Sequence, residues 1–202
     1  MNKSYPFILC VLFLTYLVGC ERQPELLPLS PDATILAFGD SLTFGTGTQP
    51  ENSYPSVLEQ ITGLTVLNSG VPGDTTTDGV SRIKSALSAN PDLVILCLGG
   101  NDFLRKRNKL TMSQNLQQIV DDIRNSGAQV MMIAVPKPAI FLDDSEVLVE
   151  FAEQNNIPIL KDTLTDLLSD EQYKSDAIHL NTNGYRILAE SINQFLIDQG
   201  AL

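Results

Sequence analysis

Ser41 and His179 are the two residues of this chain best suited to do chemistry together. His179 is the only histidine among 202 residues. Imidazole is the usual base near neutral pH, and a serine hydroxyl needs a base to become a nucleophile. Asp176 stands three residues before His179, close enough in a tight loop to accept from Nδ1–H, fix the tautomer and stabilise an imidazolium. Two further clusters carry donors: Gly73 in Pro72-Gly73-Asp74-Thr75, and Asn101 in Gly99-Gly100-Asn101-Asp102. A glycine lets backbone approach a ligand closely, and an asparagine amide is a neutral donor. With the N–H of Ser41 these groups could form an oxyanion hole. Each residue also has an ordinary explanation: a helix N-cap for Ser41, turn positions for Gly73 and Asn101, a solvated loop acid for Asp176 and a structural histidine for His179.

These residues are far apart in sequence, so the elements between them must bring them together. Strands are expected at Thr34–Phe38, Thr65–Asn68, Leu93–Leu98, Gln129–Val135 and Ile157–Leu160. Their continuous apolar or β-branched runs suit strands buried on both faces. Helices are expected at Tyr54–Ile61, Thr77–Ser88, Ser113–Asn125, Ser145–Asn155 and Asn183–Ile197. In the last, Ile187, Leu188, Ser191, Ile192 and Phe195 share one side at helical spacing. Strand–helix alternation with short connections implies a parallel α/β sheet covered by helices, and such sheets bind ligands beyond the carboxyl ends of their strands. Gly39-Asp40-Ser41, the Gly73 loop and Gly100-Asn101 all fall at such ends. Asp40, Asp74 and Asp102 are expected to hold loops by hydrogen bonds, and Cys97 to be a small buried apolar residue.

Gly39-Asp40-Ser41-Leu42, Gly73, Gly100-Asn101-Asp102 and Asp176-x-x-His179, in this order, resemble the four sequence blocks of the SGNH (GDSL) hydrolase superfamily. The resemblance runs from about Ala33 to Phe195 and is nearest to its thioesterase I, lysophospholipase and arylesterase branch. It implies a three-layer α/β/α sandwich with a five-stranded parallel sheet, flavodoxin-like in topology. It also implies Ser41 as nucleophile, His179 as base, Asp176 as its orienter, and Ser41, Gly73 and Asn101 as the oxyanion hole. The reaction it implies is hydrolysis of acyl esters or thioesters, lysophospholipids or aryl esters, through an acyl-enzyme and without a cofactor. A carbohydrate or cell-wall O-acetyl esterase would use the same groups, and a lipid-binding protein with an inert site is a reading from another class. Ala177 and Leu180 stand where many members have glycine and proline, which bears on loop detail. Phe141 and Leu142 are candidates to line an acyl pocket, or to pack the core or a loop.

The formal net charge of -11 argues against nucleic-acid binding, which needs a cationic face. Lys3, the apolar run Tyr5–Val18 and Leu17-Val18-Gly19-Cys20 read as a secretory signal over residues 1–19. The tetrapeptide looks like a bacterial lipobox, which implies lipid on Cys20, a membrane attachment through that lipid and a domain in the cell envelope. The apolar run is short for a span of about 20 residues. Residues 20–32 hold three prolines and read as a tether, with one hydrolase domain, taken as a monomer, over residues 33–202. A single histidine and no cysteine cluster give little support to a metal site. Arg105-Lys106-Arg107-Asn108-Lys109 is a basic run in an acidic chain: a solvated loop, or a rim that meets an anionic head group.

Overall fold

The computed structural model describes residues 26–137 and 142–202. Five parallel strands form the central sheet: β1 (Thr34–Gly39), β2 (Thr65–Gly70), β3 (Leu93–Cys97), β4 (Gln129–Ile133) and β7 (Ile159–Leu160), in the order β2-β1-β3-β4-β7. A two-stranded antiparallel ribbon, β5 (Pro136–Lys137) and β6 (Asp143–Asp144), stands beyond β4. The helices are α1 (Ser41–Phe44), α2 (Tyr54–Thr62), α3 (Thr76–Ala86), α4 (Gly100–Leu104), α5 (Lys109–Asn125), α6 (Glu146–Gln154), α7 (Thr163–Ser169) and α8 (Thr182–Asp198).

The sheet steps outward from β1 to β2, then crosses back and continues to β7. Right-handed crossovers therefore divide the helices between the faces. Helices α2, α7 and α8 pack on one side, and α3, α5 and α6 on the other, giving the expected three layers. Residues Leu93 to Cys97 of β3 are wholly buried, as a strand covered on both faces must be. Cys97 is a buried free thiol, and burial pushes its ionisation well up.

The edges depart from expectation. Thr65 and Asn68 of β2 are exposed, and β7 is two half-buried residues where four were expected. An edge strand has a neighbour on one side only, and its helices cover it incompletely. Helix α5 begins four residues early because Asn108 caps it, accepting from the N–H groups of Leu110 and Thr111. Helix α1 stands where a helix was expected to start at Ser41, while α4, α7 and the β5–β6 ribbon were not expected. Each is too short to show a period.

The strand directions decide where the chemistry lies. Ser41 follows β1, Gly73 follows β2 and Asn101 follows β3, all past the carboxyl edge of the sheet. Helix α8 runs back from that edge, so the loop before it, with Asp176 and His179, returns there as well.

Candidate active site

Asp40 caps α1: its Oδ1 accepts from the N–H of Leu42 at 3.0 Å. That cap turns the chain sharply out of β1 and leaves Ser41 as the first residue of the helix. Gly39 makes the turn possible. A side chain there would collide with Thr43 and with the carbonyl of Cys97.

His179 is set by its own loop. Asp176 Oδ1 accepts from the N–H groups of Ile178 (2.9 Å) and His179 (3.0 Å), which folds the segment into a tight turn. Oδ2 lies 2.7 Å from His179 Nδ1. The N–H of Ser175 closes the turn onto the carbonyl of His179. Asn181 caps α8 through Gly184 and donates to the carbonyls of Gln172 and Lys174, fixing the loop to the helix. The result places His179 Nε2 3.0 Å from Ser41 Oγ. With a carboxylate on Nδ1, the proton belongs there, and Nε2 is left to accept from the serine. Partial burial pushes the Asp176 carboxyl up. The N–H of Ile178, the imidazole and the N–H of His179 outweigh it and hold the group below its ordinary value. The structure thus brings Ser41, His179 and Asp176 into one hydrogen-bonded line. Although its carboxylate reaches the imidazole, Asp176 remains half exposed to water, unlike a buried triad acid.

Around Ser41 the donors are arranged unevenly. Among the described residues, the N–H groups of Ser41 and Gly73 have no partner. Gly73 has φ +86°, which only glycine adopts without strain, and its carbonyl accepts from Arg105 Nη2 at 2.8 Å. Asn101 is more constrained than its sequence position suggests. Its Nδ2 donates to Asp40 Oδ2 (3.1 Å) and to the carbonyl of Asp74 (3.0 Å). Both partners are acceptors, so the amide orientation is determined, but both N–H bonds are already in use.

The three aspartates do hold loops. Asp102 is buried and accepts from the N–H and hydroxyl of Thr76, joining α4 to the start of α3. Asp74 accepts from Arg82 Nε at 2.5 Å. Arg82, absent from the sequence reading, is the hub of this edge. It also donates to Ser69 O, Ser69 Oγ and Gly39 O, and its guanidinium lies 3.9 Å over the Phe38 ring. Of the basic run, Arg105 grips the Gly73 loop, while Lys106, Arg107 and Lys109 are exposed.

Asp40 is buried directly beside the serine. Burial pushes its carboxyl up to about 6, and the Asp74 charge adds to this, while the N–H of Leu42, His179 and the Asn101 amide pull the other way. The folded chain therefore binds this proton more tightly than the unfolded one, and ionising it costs stability as pH rises from 3.8 to about 6. Asp40→Asn is expected to remove that loss. The melting temperature of the variant relative to the parent should move in the variant's favour between pH 4 and pH 7. A difference that stays constant across this range would show that Asp40 ionises normally.

A cavity of about 260 Å³ opens beside Ser41, Gly100 and Asn101, and its wall is apolar: Leu104, Val135, Leu142, Leu168 and Ile178. Leu142, one of the two acyl-pocket candidates, is in the wall. Phe141 lies outside the described residues, as do Cys20 and the signal segment. Among the described residues no three His, Cys, Asp or Glu side chains converge to hold a metal ion.

The chain is similar to known proteins over most of its length. The model of the GDSL-like Lipase/Acylhydrolase family matches residues 37–187. An arylesterase of Vibrio mimicus is 29% identical over 81% of this chain and 88% of its own length. Thioesterase 1/protease 1/lysophospholipase L1 of Escherichia coli K12 is 26% identical over 78% of this chain and 80% of its own. In fold, the chain superposes on the psychrotrophic esterase EstA from Pseudoalteromonas sp. with a TM-score of 0.75, over 83% of this chain and 98% of that one, at 20% identity. The chain belongs to the GDSL-like lipase/acylhydrolase family and is a carboxylic ester hydrolase.

Proposed function

We propose that Ser41, His179 and Asp176 are the catalytic triad of an esterase acting on medium-length acyl esters. The observation that carries this is the line from Ser41 Oγ to His179 Nε2 to Asp176, beside an apolar cavity. Ser41 Oγ bonds to the acyl carbon while its proton passes to Nε2. The resulting oxyanion is held by the N–H groups of Ser41 and Gly73 and by Asn101. The imidazolium gives its proton to the leaving oxygen or sulfur as that bond breaks, and water activated by His179 then releases the acid.

The cavity supports a chain of limited length. At about 30 Å³ per water-sized group, 260 Å³ holds roughly eight such groups. Each methylene buried there adds about 0.8 kcal/mol, or roughly four-fold in kcat/KM. A p-nitrophenyl ester series is expected to rise from acetate by up to that factor per carbon, peak at about six to eight carbons, and then level. Turnover confined to acetate would favour an O-acetyl esterase. Failure of a fluorophosphonate to label Ser41 would favour an inert, lipid-binding protein.

The same reading places the chain in the bacterial envelope, with residues 1–19 removed as a signal and lipid on Cys20; the expected tether over residues 20–32 shortens to the part before Leu26, because Leu26 is buried and Leu26 and Leu29 are hydrogen-bonded to the end of α8. The lipobox-like Leu17-Val18-Gly19-Cys20 supports it. No helix among the described residues is long and apolar enough to cross a membrane.

A further inference from the structure

The chain enters the domain at the end opposite the pocket. The N–H of Leu26 donates to Gln199 O and that of Leu29 to Ala201 O, just past the end of α8. Leu27 pairs through both backbone groups with the side chain of Gln129, the first residue of β4. Leu26 itself is buried. The entry point is therefore fixed at the amino edge of the sheet, whereas Ser41, Asn101 and His179 lie past its carboxyl edge. Helix α8 spans the two edges with 17 residues, about 25 Å at 1.5 Å per residue. Leu26 is only the sixth residue after Cys20, so the chain between them reaches about 20 Å even when fully extended. Leu27, Ile197 and Leu202, all large and exposed, belong to the segments that meet at this entry end.

We infer that the lipid on Cys20 holds the amino edge of the sheet toward the bilayer and the pocket away from it. The enzyme then acts on acyl esters delivered through the aqueous phase, not on esters embedded in the bilayer that anchors it. The inference rests on the proposed lipidation of Cys20. The tether is too short for the pocket mouth to turn down onto that bilayer, and the exposed leucines and isoleucine at the entry end suit contact with it.

Energy transfer from a thiol dye to acceptor head groups tests the orientation without using activity. The lipidated full chain is placed in phosphatidylcholine–phosphatidylglycerol vesicles, labelled at Lys109→Cys on the pocket edge or at Asp198→Cys on the entry edge. Both positions are exposed, and Cys97 is buried. Transfer from position 198 is expected to be at least two-fold greater than from 109. Equal or reversed transfer overturns the orientation. Cys20→Ala, not lipidated, should show no transfer; if it binds vesicles as the parent does, the anchor reading fails and the inference with it. In a second arm, the parent and a variant with about 20 Gly/Ser residues inserted after Arg22 hydrolyse an ester fixed to the head group of a two-chain lipid in their own bilayer. The spacer should raise that rate about ten-fold or more and leave soluble p-nitrophenyl ester turnover unchanged. An unchanged bilayer rate overturns the inference. Loss of soluble turnover in the parent instead counts against the esterase reading, while the energy-transfer result still decides the orientation.

Discussion

Ser41→Ala and His179→Ala are each expected to lower kcat by about 10⁴-fold or more, with little further loss in the double variant. Residues that act as one unit lose their whole contribution when any essential member is removed. His179 is the only imidazole in the chain, so no neighbour can take over its role. The Ser41→Ala variant should keep its fold, because the cap of α1 is made by Asp40 and not by the serine hydroxyl. It should also fail to react with a fluorophosphonate. Asp176→Ala is expected to be milder, below the roughly 10⁴-fold associated with a buried triad aspartate. The Asp176 carboxylate is half exposed, and water screens much of its field on the imidazole. The measurements are kcat and KM on a p-nitrophenyl ester and mass-spectrometric labelling. Full activity in Ser41→Ala or in His179→Ala would sink the triad assignment.

The parts legible in the sequence were those with local signals. The buried run Leu93–Cys97 and the face of α8 announce strand and helix through apolar content and period. Asp176 and His179 are three residues apart, so their pairing follows from a turn that Asp176 itself caps. The parts that were not legible depend on contacts across the fold. Nothing near Arg82 in sequence says that it will reach Gly39 and Ser69, at the ends of β1 and β2, and Asp74, in the loop after β2. Helix α4 is only five residues long, and its place is set by Asp102 bonding to the start of α3. The extent of β2 and β7 depends on which strands end at the edges of the sheet, a property of its order and not of their composition. Asn101 lies between these cases: its place at the carboxyl end of β3 was visible, its position in α4 and its two acceptors were not.

Asn101→Ala is expected to lower kcat by about 100- to 1000-fold with a small change in KM, the signature of a donor used mainly in the transition state. In the resting site both N–H bonds of the amide are taken, one by the Asp40 carboxylate and one by the Asp74 carbonyl. A developing oxyanion carries nearly a full charge, and charged acceptors bind an N–H about twice as strongly as neutral ones. It can therefore draw the N–H now shared with the neutral Asp74 carbonyl, while the bond to Asp40 keeps the amide in place. Asp40 would then act through Asn101 and not on the substrate. Asn101→Asp separates the two parts of this argument. It keeps the size of the side chain but puts a carboxylate against Asp40, so it should lose as much activity as the alanine variant and also lower the melting temperature above pH 6. If Asn101→Ala retains parental kcat, the oxyanion is held by the free N–H groups of Ser41 and Gly73 alone. In that case the Asn101 amide serves only to join the Asp40 and Asp74 loops.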